Sequence, residues 1–266
     1  MLSASASNAG QSPALRPDYT TLPAASARGE GGLRLARGTR AQLRAVLFDV
    51  DFTLAKPGPD LGPDGYRRLG RRFGLELDPA RYADARDAAV ASLKRHPELE
   101  HDEAVWVAFT EAIVCGMGGG GEEAAACAVE MTRLWERSEN FELYEDVLPA
   151  LESLRRRGLK LGLVSNTGRD LDAFVEHHRL NVEAALSSGA HGKTKPDPSI
   201  FLAVLDRLRV EPQEAAMVGD SLDDDVEGAR AIGMRAVLLD REGRCPDVLE
   251  RIESLAELPA ALGLEP

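Results

Sequence analysis

Five short apolar runs, each of strand length, constrain this chain more than any other feature. They are "RAVLFD" (44–49), "LKLGLVSN" (159–166), "EAALSS" (183–188), "EAAMVGD" (214–220) and "RAVLLD" (235–240). Helical patterns separate the later ones: "VLPALESLRRRG", "DLDAFVEHHRL", "PSIFLAVLDRL" and "DVEGARAIG". Gly158 and Gly233 stand where helix stop signals belong. Strands alternating with helices predict an α/β fold, a doubly wound parallel sheet covered on both faces.

The interval between the first two runs breaks this rhythm. Residues 58–143 carry no clear strand, and "YRRLGRRFG", "PARYADARDAAVASLKRH", "EAVWVAFTEAIVCGM" and "EEAAACAVEMTRLWERS" all read as helices. "GMGGGGEE" (116–123) reads as a turn between two of them. The interval is too long for an ordinary crossover, so it is expected to be an inserted all-helical subdomain above the strand ends. The expected division is therefore an α/β core from 41–57 and 144–266, with the helical insert at 58–143. Residues 1–40, rich in Ala, Ser, Gly and Pro, predict a disordered tail. Arg16, Arg28, Arg34 and Arg37 there also suit a targeting peptide, but no apolar segment of secretory length accompanies them.

Charge narrows the partners. The formal net charge of -12 repels nucleic acid and anionic membranes, and no run of 18 or more apolar residues predicts a transmembrane helix. Cys115, Cys127 and Cys245 are odd in number and lack paired spacing, as reduced thiols of a cytoplasmic protein would. The five histidines make no metal-ligand spacing with cysteine, and "GGGG" (118–121) lacks the Lys-Ser/Thr of a nucleotide loop.

Asp49, Ser165 and Asp220 all fall at the C-terminal ends of expected strands. In an open parallel sheet, ligands bind beyond those ends. Beside that edge lies the acidic stretch "GDSLDDDVEG" (219–228). Crowding carboxylates together is unfavourable: at about 4 Å and an effective dielectric near 20, each pair repels by about 4 kcal/mol. A divalent cation relieves this, and oxygen-only ligands favour Mg²⁺ over Zn²⁺. Lys195, just before the Pro-Asp-Pro turn of "GKTKPDPSIF" (192–201), could hold an anionic group against the same edge. Hydroxyl, backbone amides, lysine and metal together describe a phosphoryl site.

"DVDFTL", "VSNTG", "KPDPSIF" and "GDSLDDDVEGA" occur in that order. With them the chain, from about residue 44 onward, resembles the haloacid dehalogenase superfamily, in the group whose Rossmann-like core carries an α-helical cap after the first strand. The resemblance implies roles. Asp49 is the expected nucleophile, forming an aspartyl-phosphate. Asp51 is the expected acid and then base, with its main-chain carbonyl on the metal. Thr53 would help fix Asp51. Ser165, the backbone of Asn166, Thr53 and Lys195 would serve the phosphoryl group. Asp49, Asp51, Asp220 and Asp225 would hold Mg²⁺, with Asp224 the alternative to Asp225.

The acid at Asp51 separates chemistries within the resemblance, because the dehalogenases that name the group lack it. A phosphatase acting on a small phosphorylated metabolite is the expected activity. A sugar-phosphate mutase and a non-catalytic binding protein are the alternatives. The substrate and the oligomeric state are not legible. One departure stands out: Phe52 occupies a position often filled by glycine. An ordinary negative φ is expected there, because a bulky side chain disfavours the left-handed region.

Overall fold

A computed structural model describes residues 41–94 and 103–264. The tail expected over 1–40 lies outside the described residues. The chain enters through β1 (Ala45–Phe48), turns sharply and continues as β2 (Ala55–Pro57). Helices α1 (Pro63–Arg72), α2 (Tyr82–Lys94), α3 (Glu103–Gly116) and α4 (Gly121–Trp135) follow, and β3 (Phe141–Leu143) brings the chain back. Alternation then sets in: α5 (Val147–Arg156), β4 (Lys160–Ser165), α6 (Leu171–His178), β5 (Ala184–Ser187), α7 (Ser188–His191), α8 (Pro198–Leu208) and β6 (Ala215–Gly219). A π-helical turn at Leu222–Glu227 runs into α9 (Gly228–Ala231), and β7 (Arg235–Leu239), β8 (Arg251–Ile252) and α10 (Leu258–Ala261) complete the described chain.

Six strands form one parallel sheet in the order β5-β4-β1-β6-β7-β8. β1 therefore sits in the interior, with β4 and β6 as neighbours. Its four residues are all fully buried, which is why the run reads as unbroken apolar sequence. The pleat still sorts them. Val46 and Phe48 join a core with Leu151 and Leu154 of α5 and Phe174 of α6. Ala45 and Leu47 join another with Ile200, Val204 and Leu208 of α8. Helices thus cover both faces, as a doubly wound sheet requires. Burying side chains such as Leu47 or Phe48 stabilises the fold by about 1.5–3 kcal/mol each.

The helical segment shares the first of these cores. Leu61, Tyr66, Leu69, Ile113, Met117 and Met131 are buried in continuity with Val46 and Phe48. One expectation fails here. The interval thought to lack a strand contains β3, which pairs antiparallel with β2 through Ala55↔Leu143, Lys56↔Glu142 and Pro57↔Phe141. A three-residue strand has no readable alternation, so this ribbon is defined only by the partner it meets in space.

Local signals fix the helix starts near the sheet edge. The Asp170 carboxylate accepts from the amides of Asp172 and Ala173 at the start of α6, and Asp197 accepts from Ser199 at the start of α8. Pro198 occupies the first turn of α8, where its missing N–H removes nothing.

Candidate active site

Asp49 continues β1 past its last ladder residue, and its amide donates to the Val218 carbonyl on β6 at 2.9 Å. This seats the carboxylate at the C-terminal edge of the sheet, 6% exposed. β6 delivers Asp220 to the same edge. The π-helical turn then folds Asp225 back over it, with the Asp225 carboxylate accepting from the Ser221 amide at 3.0 Å. The fit leaves no room at Gly219: a Cβ there would lie 2.1 Å from Asp225 Oδ2. Ligand oxygens of Asp49, Asp220 and Asp225 all fall within 4.8 Å of one another. Asp225 belongs to this cluster, whereas Asp224 donates its amide to Ser221 Oγ.

Lys195 reaches into the cluster from the loop after α7. Its buried ammonium donates to Asp49 Oδ1 at 2.5 Å and to Asp225 Oδ1 at 2.6 Å. Two devices hold that loop. The Asn166 side chain donates to the Lys195 carbonyl at 3.0 Å and accepts from its amide at 2.7 Å. Gly228 lets the start of α9 pack on Pro196, where a Cβ would come within 2.8 Å of the ring. The Asn166 side chain thus clamps the lysine loop. Ser165 is buried at the end of β4, in line with the other strand-end residues.

Three carboxylates crowd together here, and the one ammonium bonds two of them, Asp49 and Asp225. Burial pushes the Asp49 carboxyl well above the usual carboxylate range, with Asp225, Asp220 and Asp51 adding to the rise and Lys195 opposing it. Burial likewise pushes Asp220 up to about 6, with Asp225 beside it in the same direction. Burial alone would lower Lys195, but Asp225 and Asp49 outweigh it and hold the ammonium charged. A buried, oxygen-only cluster with excess negative charge fits a hard divalent cation such as Mg²⁺. Asp49, Asp220 and Asp225 are the side chains that could hold one.

Asp51 stands apart from the cluster. Its carboxylate is paired with Arg169, whose Nη1 donates to Oδ1 at 2.9 Å and whose Nη2 donates to Oδ2 at 3.3 Å. Thr53 is buried, and its hydroxyl donates to Asp220 Oδ1 at 3.4 Å rather than to Asp51. The turn carrying these residues is tight, since Leu54 and Ala55 both donate to the Val50 carbonyl. Phe52 sits within it at φ 62, against the negative value expected from its bulk. The turn geometry overrides the residue preference, with the Phe52 amide donating to the Ala55 carbonyl at 2.7 Å. Arg241 supports the turn from the loop just past β7: it donates to the Thr53 carbonyl at 2.9 Å, pairs with both oxygens of Asp146 and lies over the Tyr144 ring. Neither Arg169 nor Arg241 belongs to a sequence motif quoted for chemistry, and their roles arise only from the folded contacts.

The family model for haloacid dehalogenase-like hydrolases matches residues 43–233, from β1 to the end of α9, and the chain belongs to that family. The phosphoserine phosphatase of Thermus thermophilus is 33% identical over 232 residues, covering 77% of this chain and 92% of that protein. The glyceraldehyde 3-phosphate phosphatase of Methanopyrus kandleri is 30% identical over 219 residues, covering 79% and 88%. Among solved structures, a HAD phosphatase from Thermococcus onnurineus superposes with a TM-score of 0.59 at 31% identity, covering 84% of this chain and 99% of that one.

Proposed function

We propose that the chain is a Mg²⁺-dependent phosphatase that hydrolyses a small phosphorylated metabolite through an aspartyl-phosphate on Asp49. The observation that carries this reading is the placement of Asp49 at the sheet edge against Lys195, Asp220 and Asp225, with a second acid, Asp51, two residues on. Relatives named as phosphatases of different esters support the reaction class and leave the substrate open.

In the first step an Asp49 oxygen attacks phosphorus and the ester P–O bond breaks. Asp51 enters this step as the neutral acid, and the leaving oxygen takes its proton, which leaves Asp51 a carboxylate. In the second step Asp51 takes a proton from water, the water oxygen attacks phosphorus, and the Asp49–phosphorus linkage breaks. Phosphate leaves and both carboxyls return to their starting states. Lys195 supplies fixed positive charge to the phosphoryl oxygens, and the Ser165 hydroxyl and the backbone around Asn166 add donors. The cation, held by Asp49, Asp220, Asp225 and the Asp51 carbonyl, would neutralise charge developing on the phosphoryl group. Residues 58–143 would act as the cap that selects the ester.

Purified protein with Mg²⁺ and p-nitrophenyl phosphate tests the class. Phosphate release that disappears in Asp49→Asn is the expected result. Absence of turnover across a broad panel of phosphate esters would return the chain to the binding-protein alternative.

A further inference from the structure

Among the described residues Arg169 is the largest of the fully buried side chains, and it sits next to the reacting edge. A guanidinium in such a place needs partners for its donors. It has them on two sides. One side is the bidentate pairing with Asp51. The other is the main-chain carbonyl of Trp135, the last residue of α4, which accepts from Nε at 3.3 Å and Nη2 at 3.2 Å. Phe141 on β3 supplies the floor, its ring centroid 3.6 Å from the guanidinium carbon. Arg169 itself is held at its own backbone, where its amide donates to Thr167 Oγ1.

The consequence for Asp51 is geometric. A free aspartate can turn about two side-chain bonds, and only some orientations present an oxygen to a leaving group. Here both oxygens are fixed by one planar fork that cannot rotate, because the fork is pinned by the Trp135 carbonyl and the Phe141 face. We propose that Arg169 is a positioning residue for the acid–base group. It sets the orientation of Asp51 and ties that orientation to the end of α4, so that proton transfer depends on where the helical segment sits. This rests on the phosphatase reading and on the role given there to Asp51.

Kinetics with two esters test it. The ratio kcat/KM reports steps up to loss of the leaving group, so it excludes breakdown of the aspartyl-phosphate. An alkyl phosphate needs a proton on its leaving oxygen, whereas p-nitrophenolate departs with little help. Arg169→Met should lower kcat/KM for the alkyl ester about 10–100-fold, and by at least ten-fold more than for p-nitrophenyl phosphate. Arg169→Lys, which keeps the charge but loses the fork, should show the same bias to a smaller degree. Asp51→Asn should itself show this bias, and adding an Arg169 substitution to it should bring no further bias, since the group being positioned is gone.

Equal losses for both esters in the Arg169 variants would overturn the proposal and reduce Arg169 to a packing residue. If Arg169→Met does not fold, the ester bias of Arg169→Lys decides: its presence supports the proposal and its absence overturns it. A wild-type protein that cleaves no member of a broad panel of phosphate esters, from which the two test esters are drawn, points to failure of the phosphatase reading. A wild-type enzyme whose Asp51→Asn variant shows no ester bias points to failure of the acid role itself. Either result overturns this proposal by a different route.

Discussion

The ammonium of Lys195, on the loop that Asn166 clamps, lies 2.5 Å from Oδ1 of Asp49 at the end of β1. Both groups are almost fully removed from water. Lys195→Met therefore leaves Asp49 and Asp225 buried without their counter-charge. Breaking one partner of such a pair destabilises by about 3–5 kcal/mol. The variant should lose that stability in chelator, recover part of it on adding Mg²⁺, and lose at least about 100-fold in activity. Denaturant titration with and without Mg²⁺ checks this; a variant as stable as wild type in chelator would contradict the pairing.

Chelation should abolish turnover and Mg²⁺ should restore it. Ca²⁺ should bind the same three carboxylates yet fail to support activity, because it accepts more ligands and looser geometry and so misplaces the attacking oxygen. Full activity in excess EDTA would sink the metal assignment for Asp49, Asp220 and Asp225.

Asp51→Asn should separate the half-reactions. With p-nitrophenyl phosphate the first step needs little acid, but the second still needs a base. Phosphate should therefore accumulate on Asp49, visible as one added phosphoryl group by intact-mass spectrometry after rapid acid quench. No adduct together with unchanged turnover would remove Asp51 from the mechanism.

Phe52 occupies the left-handed region at φ 62 and is 37% exposed. Asparagine tolerates this region, whereas a β-branched residue does not. Phe52→Val should be less stable than Phe52→Asn by at least about 1 kcal/mol, read from denaturant midpoints at equal slopes. Equal stability would mean that the turn relaxes to a negative φ.

Asp146 gives a pH signature. Burial alone would raise its carboxyl, but donors from Arg241, Ser254 and the Leu255 amide outweigh it and hold it below the ordinary value of 3.8. A carboxyl depressed in the folded state adds stability that is complete above its ordinary value and is lost as pH falls through the folded one. The stability gap between wild type and Asp146→Asn should thus shrink as pH drops below 3.8. A gap constant across that range would place the effect in packing alone.

What the sequence disclosed follows from the physics of each signal. Asp49, Ser165 and Asp220 were legible because each ends a buried parallel strand, and such strands read as continuous apolar runs. Asp225 was expected only through the family resemblance, with Asp224 as alternative, and its meeting with Lys195 is a matter of folded geometry. Arg169 was not legible, since an arginine in a loop has no periodicity and its value comes from Asp51, 118 positions away. The β2–β3 ribbon escaped for the same reason. Phe52 misled because side-chain bulk states a preference, while the Val50 and Ala55 hydrogen bonds of the turn state a requirement.

The place of β1 in the sheet has a consequence for how the chain comes into being. Both neighbours of this first strand come much later, with Ala45 pairing to Lys160 on one side and to Ala215 on the other. During synthesis β1 emerges long before either, carrying an entirely apolar stretch with both edges open. Helices α1, α3 and α4 need mainly local contacts and can form while it waits. This interior strand is thus made before both of its partners, and its apolar stretch stays open on the growing chain until they arrive.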